Sequence, residues 1–388
     1  MSTNHIMETY KRYEITLSHG KGSKVYDTNG KEYIDFVSGV AVNCLGHAPE
    51  IISEALEKQS KKLVHVSNYY WNENHTPLAE KLCDNCDHDK VFFTNSGAEA
   101  VEGAIKTAKK YGNLKSAGKK NKIIYMDSSF HGRTLGSLSV TGNYKYQKDF
   151  LPLIPNTCNI PFNDVAALKA AFDDEVCGII MEPVQGEGGI NVATSEFLKT
   201  ARELCDKFDA LLIFDEVQCG MGRLGTLFAY KSFNVIPDVL CIAKALGGGF
   251  PIGAFITNER ASVLTYGDHG STYGGNPLAC AVSLAVLNEL VDNGVVASVS
   301  EKSQYITNKL KELNSKYNNI TEIKGMGLLL GLKTKFGAAK FIDECLEKGL
   351  LLISASGDVV RILPPLNVSY QDIDAAIAIM ESVLAKNA

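Results

Sequence analysis

Residues 210–253 read ALLIFDEVQCGMGRLGTLFAYKSFNVIPDVLCIAKALGGGFPIG. Two short apolar runs sit in this stretch. The first, 210–215, ends in Asp215-Glu216, and the second, 239–244, ends in Lys244. Each is too short and too evenly apolar for a surface helix and fits a strand buried on both faces. Such strands belong to parallel sheets covered by helices, and ligands of open α/β sheets sit at the carboxyl ends of the strands. An acid at one strand end and a lysine at another therefore put two reactive groups where a ligand binds.

The same texture extends outward. Strand candidates lie at 90–94, 122–127, 177–182 and 253–257, and helical patterns at 51–62, 76–83, 98–110, 165–171 and 195–207. This alternation predicts an α/β fold with a large, mostly parallel sheet. Pro152 and Pro155 mark an extended segment after a polar loop. After Asn276-Pro277 a long helix is expected. Beyond it, IKGMGLLLGLKT and RILPPLNVS read as strands of a smaller α+β unit, with helices over 336–348 and 370–385. Near the start, SKVYDTNGKEYIDFV (23–37) reads as a hairpin with a tight turn at Asn29-Gly30. It has no sheet of its own, so residues 1–47 are expected to join the smaller unit. The large domain is then 48–280 and the C-terminal small domain 281–388.

The 388 residues suggest two or three domains. A composition of 45% hydrophobic and 21% charged residues is ordinary for a globular protein, and a net charge of −5 argues against nucleic acid as partner. The amino terminus, MSTNHIMETYKRYE, lacks the apolar core of a signal peptide, and no run of about 18 apolar residues suits a membrane span. Cys177, Cys241 and Cys280 lie inside apolar runs, and most of the other cysteines are isolated, so a reducing compartment is expected. Cys83-x-x-Cys86 with His88 lacks a completing ligand pair and reads as a helix end and turn, with no metal. A cytoplasmic enzyme or binding protein is what these features leave.

The candidate chemistry gathers at the strand ends. A lysine losing hydration at a buried strand end has a lowered pKa and a nucleophilic amine, and the glycines after Lys244 let backbone approach a bulky ligand. Asn95-Ser96-Gly97-Ala98 reads as a turn into a helix, with Ser96 able to cap and free N–H groups at Gly97 and Ala98 suited to a phosphate. No GxxxxGK[ST] and no GxGxxG after the first strand are present, which disfavours a nucleotide. Buried Asp215 needs a cationic partner, and a pyridinium nitrogen serves. Pyridoxal phosphate (PLP) requires a Schiff-base lysine, an acid on the ring nitrogen and a phosphate cradle. Lys244, Asp215 and the Ser96–Ala98 turn supply them, with Phe130 and Val217 available for the two ring faces. Singly, each feature also suits a loop-capping lysine or an ordinary helix cap; the reading rests on the set.

NSGAEAVEGAIKTAK, FHGRTLGSLSVTG, MEPVQGEGG, LLIFDEVQCGMGRLG, PDVLCIAKALGGGFPIGA, HGSTYGGNPLACAV and RILPPL together resemble the class III (subgroup II) aminotransferases, of PLP fold type I, over nearly the whole chain. SNYYWNE, GMGRLGTLFAY and STYGGNPLACAVSLAVL are most similar to the branch acting on N2-acetylornithine. The resemblance implies transfer of that substrate's δ-amino group to 2-oxoglutarate, in arginine biosynthesis, by a homodimer with active sites at the interface. It further implies that Lys244 forms the Schiff base, Asp215 meets the ring nitrogen and Gln218 the phenolic oxygen. Gly97 and Ala98 would hold the phosphate, with Thr272 reaching in from the neighbouring subunit, and Phe130 would stack on the ring. Arg133 would bind a substrate carboxylate, Ser271 would touch the acylated substrate, and Tyr10 would face the substrate. Glu187 and Arg361 resemble a pair that switches between the two substrates. Ornithine, succinylornithine or 4-aminobutyrate are the alternatives within the family. A non-catalytic PLP-fold binding protein is the alternative outside it, and would be expected to lack Lys244 or Asp215.

Overall fold

The computed structural model of the chain describes residues 5–388, and residues 1–4 of the expected N-terminal segment lie outside it. Its centre is a seven-stranded sheet built from β1 (Lys90–Thr94), β2 (Lys122–Met126), β3 (Thr157–Ile160), β4 (Val176–Met181), β5 (Leu211–Asp215), β6 (Val239–Ile242) and β7 (Gly253–Thr257). The spatial order is β1-β7-β6-β5-β4-β2-β3. β7 runs antiparallel to both its neighbours, and the other pairs are parallel. This is the expected mixed α/β architecture with a mostly parallel sheet.

β4, β5 and β6 are buried at every position because helices cover both faces. Leu211 and Ile213 pack with Ala104 and Ala108 of the helix Gly97–Ser116, while Leu212 and Phe214 join the cluster of Phe197 and Ala201 from the helix Ser195–Lys207. The period-2 alternation of a strand sends neighbouring residues to these opposite layers.

The smaller unit contains a four-stranded sheet in the order Ile320–Met326, Leu329–Thr334, Val359–Ile362, Ile353–Ala355. A second four-stranded sheet joins Leu17–Lys21, Lys24–Asp27 and Glu32–Asp35 to Leu350–Leu351, so the N-terminal hairpin does hydrogen-bond to the C-terminal part of the chain. The last pairing is parallel, which needs a strand from far along the sequence.

Several local expectations change. The hairpin turn is wider than two residues: Asp27 pairs with Lys31, and Asn29 and Lys31 N–H both donate to Asp27 Oδ1 at 2.8 and 2.9 Å. Of Asn29 and Gly30, Gly30 alone has a left-handed φ (83°), so the aspartate and one glycine make the turn. β3 was not expected, because its sequence, TCNI, is a short mixed run after two prolines. The helix expected at 98–110 runs on to Ser116, and the long helix after Pro277 breaks after Leu287 into a π turn over Asn288–Asp292. β6 ends at Ile242, and Lys244 opens a 3₁₀ turn instead. Cys83 ends the helix His75–Cys83, and Cys86 N–H turns back to the Cys83 carbonyl at 3.1 Å. No single helix among the described residues is long and apolar enough to cross a membrane.

Candidate active site

A cavity of about 410 Å³ opens at the carboxyl end of the large sheet. The ends of β1, β2, β4, β5 and β6 all deliver residues to it, as a parallel sheet under helices requires. Lys244 faces it from the turn after β6, with φ at +44°. A left-handed lysine costs on the order of 1–2 kcal/mol, and such strain persists where the surrounding structure holds it. Burial pushes the Lys244 amine below its ordinary range, opposed by the charges of Asp215 and Glu182. The result is an amine shifted toward its free-base, nucleophilic form.

Asp215 ends β5 and is 3% exposed. Its Oδ2 lies 2.7 Å from His131 Nδ1, and its Oδ1 accepts the Val217 N–H at 2.9 Å. Two donors hold one carboxylate in place, and His131 Nε2 is buried with no partner among the described residues. Gln218 Oε1 is likewise buried and unpartnered. Gly186 packs directly against that amide, where an added Cβ would collide with Gln218 Oε1.

On the facing wall, Ser96 caps the helix Gly97–Ser116: its Oγ accepts Glu99 N–H at 3.2 Å, and its carbonyl accepts Ala100 N–H at 3.1 Å. The first N–H groups, at Gly97 and Ala98, have no intrahelical acceptor, and both residues line the cavity. A Cβ at Gly97 would lie 2.7 Å from Val217 Cγ1, so only glycine lets the helix start this close. Phe130 and Val217 also line the cavity. Arg133 is exposed at its mouth, its guanidinium 3.7 Å from the Tyr146 ring centre and 5.4 Å from that of Phe130. Arg361, 3% exposed on the strand Val359–Ile362, approaches Glu187 to 2.8 Å. The N–H direction is off the hydrogen-bond axis, so this contact is an ion pair more than an aligned hydrogen bond.

Thus Ser96, Gly97, Ala98, Phe130, Arg133, Glu187, Asp215, Val217, Gln218 and Lys244 surround one cavity, with Arg361 attached through Glu187. Ser271 stands apart from the lining; its Oγ accepts Asn95 Nδ2 at 3.2 Å and Gly274 N–H at 2.9 Å. Thr272 is exposed, and Tyr10, 74% exposed, lies outside the cavity lining of its own chain.

Sequence reasoning gave no role to four contributors. His131 stood inside the quoted FHGR run, and Glu182 at a strand end, and both traces were visible. Tyr146 left none. Val42 reaches the cavity from a left-handed turn, with φ of 49°, 63°, 65° and 63° at Ser38, Gly39, Val40 and Ala41. The Asp35 carboxylate braces that turn by accepting Val37 and Ser38 N–H, and no hydrophobic period announces it.

A lowered-pKa lysine, a braced carboxylate and a cradle of free N–H groups around one cavity fit an enzyme that handles amines. The chain belongs to the family described as Aminotransferase class-III, whose model matches residues 6–384. It is 57% identical to the acetylornithine aminotransferase of Clostridium acetobutylicum over 98% of this chain and 99% of that one. It is 48% identical to the succinylornithine transaminase of Salmonella newport, over 91% and 88% respectively. Among solved structures, the ornithine aminotransferase of Toxoplasma gondii, with partial occupancy of PLP at its active site, superposes with a TM-score of 0.93 at 33% identity, covering 99% of this chain and 92% of that one. The family implies PLP, and the free N–H pair at Gly97 and Ala98, with the close approach that the glycine at 97 allows, fits the phosphate of such a group.

Proposed function

We propose that this aminotransferase moves the δ-amino group of N2-acetyl-L-ornithine to 2-oxoglutarate with pyridoxal 5'-phosphate, yielding N-acetylglutamate 5-semialdehyde and glutamate in two alternating half-reactions. The observation that carries this reading is the Glu187–Arg361 ion pair beside the lysine cavity. One site must accept a donor with its amine far from its single carboxylate, then a product with its amine next to one. An arginine that is masked for the first and free for the second meets both needs.

Asp215 would hold the ring nitrogen, Gln218 the phenolic oxygen, Gly97 and Ala98 the phosphate, and Phe130 and Val217 the ring faces. Bound there, the cofactor supplies an aldehyde that takes up amines and a ring that spreads the electrons left when a C–H bond breaks. His131 keeps Asp215 oriented. Lys244 Nζ, shifted toward its free base by burial, accepts the proton leaving the amine-bearing carbon of the substrate. Arg133 binds the remote carboxylate, and Ser271 and Tyr10 are assigned to the substrate's outer end.

We assign the working form as a cytoplasmic homodimer in which the partner subunit's Thr272 completes the phosphate cradle. Ten free cysteines support a reducing compartment, and the exposed Tyr69, Trp71 and Tyr273 support a covered surface. The division of the chain near residues 47 and 280 belongs to the same proposal, supported by the pairing of Glu32–Asp35 with Leu350–Leu351.

The test is a set of single-turnover half-reactions. Holoenzyme is mixed separately with N2-acetylornithine, N2-succinylornithine, ornithine and 4-aminobutyrate, and the loss of its visible absorbance is timed. N2-acetylornithine should react fastest at equal concentration. A faster reaction with any of the others assigns a different donor.

A further inference from the structure

We propose that Glu182 is a positioning residue for this reaction, its carboxylate clamping together the two loops that carry Arg133 and Glu187. Glu182 follows β4 and is 5% exposed at the cavity wall. Its two oxygens serve different loops. Phe130 N–H donates to Oε2 at 3.1 Å, and Gly186 N–H donates to Oε1 at 3.3 Å. The first loop leads within three residues to Arg133; the second leads within one to Glu187, the partner of Arg361. An unpaired carboxylate buried at a strand end is costly, and these two amides offset that cost. In return, one short, rigid group fixes the distance between the loops. None of the roles given to Lys244, Asp215 or Gln218 requires it.

The clamp depends on charge. A carboxylate accepts both N–H groups, whereas a protonated carboxyl turns one oxygen into a donor and releases one loop. The charged and titratable groups facing Glu182 are His131, Asp215, Lys244, Arg361 and the thiol of Cys219. Burial raises its pKa above the ordinary carboxylate range, His131 opposing and Asp215 adding to it. The clamp therefore loosens as pH falls toward the acid side.

This inference rests on the reading of Arg133 as a carboxylate-binding residue, and the test separates the two. The probe is glutarate, an unreactive dicarboxylate, whose dissociation constant from the holoenzyme reports positioning without turnover. Glu182→Gln keeps the shape but offers one acceptor where two are needed. It should bind glutarate about tenfold or more weakly, and lose the acid-side weakening seen in the wild type. Glu182→Asp, which keeps the charge but has a shorter reach, should bind weakly and retain the pH dependence; it decides the matter if Glu182→Gln does not fold. Wild-type glutarate affinity in a folded Glu182 variant overturns the clamp, as does a lowered melting temperature with binding and its pH profile intact. If Arg133→Ala itself binds glutarate at wild-type strength, the reading of Arg133 falls and takes the clamp with it. If Arg133→Ala weakens binding and Glu182→Gln does not, the clamp alone falls.

Discussion

Asp215 and Glu216 are neighbours in sequence with opposite surroundings. Asp215 points at the cavity and His131, while Glu216 points away and accepts the Ala229 and Tyr230 N–H groups. Burial pushes the Glu216 carboxyl up to about 8, outweighing those two donors. Because its folded pKa is raised, the native state holds a proton that the unfolded chain releases above its ordinary pKa near 4.5. The stabilisation from that proton is fully present below about pH 4.5 and is lost as pH rises to about 8, amounting to a few kcal/mol in all. Urea midpoints measured across that window should fall with pH in the wild type and fall less steeply in Glu216→Gln. Parallel slopes in the two proteins would mean that Glu216 ionises natively as it does when unfolded.

The helix Gly97–Ser116 carries the cradle of free N–H groups at one end, and its seating on the sheet fixes where that end lies. Gly112 makes the close approach near the other end. A Cβ there would strike the Lys120 carbonyl and lie 2.7 Å from Cys177 Cβ, and a backbone carbonyl cannot swing aside. Gly112→Ala gains about 1 kcal/mol of helix propensity but loses about 1–3 kcal/mol to overpacking. The variant should therefore have a lower urea midpoint than the wild type. A higher one would show that the helix slides freely on β4, and the cradle would then need another anchor. The left-handed turn at Ser38–Ala41 is the contrasting case, since it is held by the Asp35 carboxylate and not by packing of a regular face.

Arg361 and Glu187 meet across the molecule, one on a strand of the smaller unit and the other in a loop after β4. On the proposed switch, their 2.8 Å contact would make substrate alternation a property of how those parts dock. In that proposal glutamate needs Arg361 free for its α-carboxylate, and N2-acetylornithine does not. Arg361→Ala should slow the glutamate half-reaction by roughly 30- to 1000-fold, the equivalent of a charged contact of about 2–4 kcal/mol, and the acetylornithine half-reaction far less. Glu187→Ala should leave Arg361 unmasked and shift preference toward glutamate. Single-turnover rates for each half-reaction measure both effects; equal losses with both substrates in both variants would leave the pair a structural contact. Arg223 works at the same scale, its fully buried guanidinium donating to the Leu328 and Pro364 carbonyls and tying the loop after β5 to the segment just past Arg361.

Sequence alone determined the parts of this protein whose physics is local. Uninterrupted apolar runs specify strands buried on both faces, so β1, β2, β4, β5, β6 and β7 were legible to within a residue or two. Ser96 before a helical period specifies a cap, and Asp215 closing one apolar run and Lys244 just past another specify groups at a ligand site. Only the tertiary structure decided what depends on docking. β3 lacks a pattern of its own and takes its form from the edge of β2. The His131–Asp215 contact, the Phe130 amide on Glu182 and the Arg361–Glu187 pair join residues 84, 52 and 174 positions apart along the chain, and only folding brings such residues within hydrogen-bond reach. Val42 enters the cavity through four left-handed residues whose strain is tolerated because neighbouring groups already fix that turn.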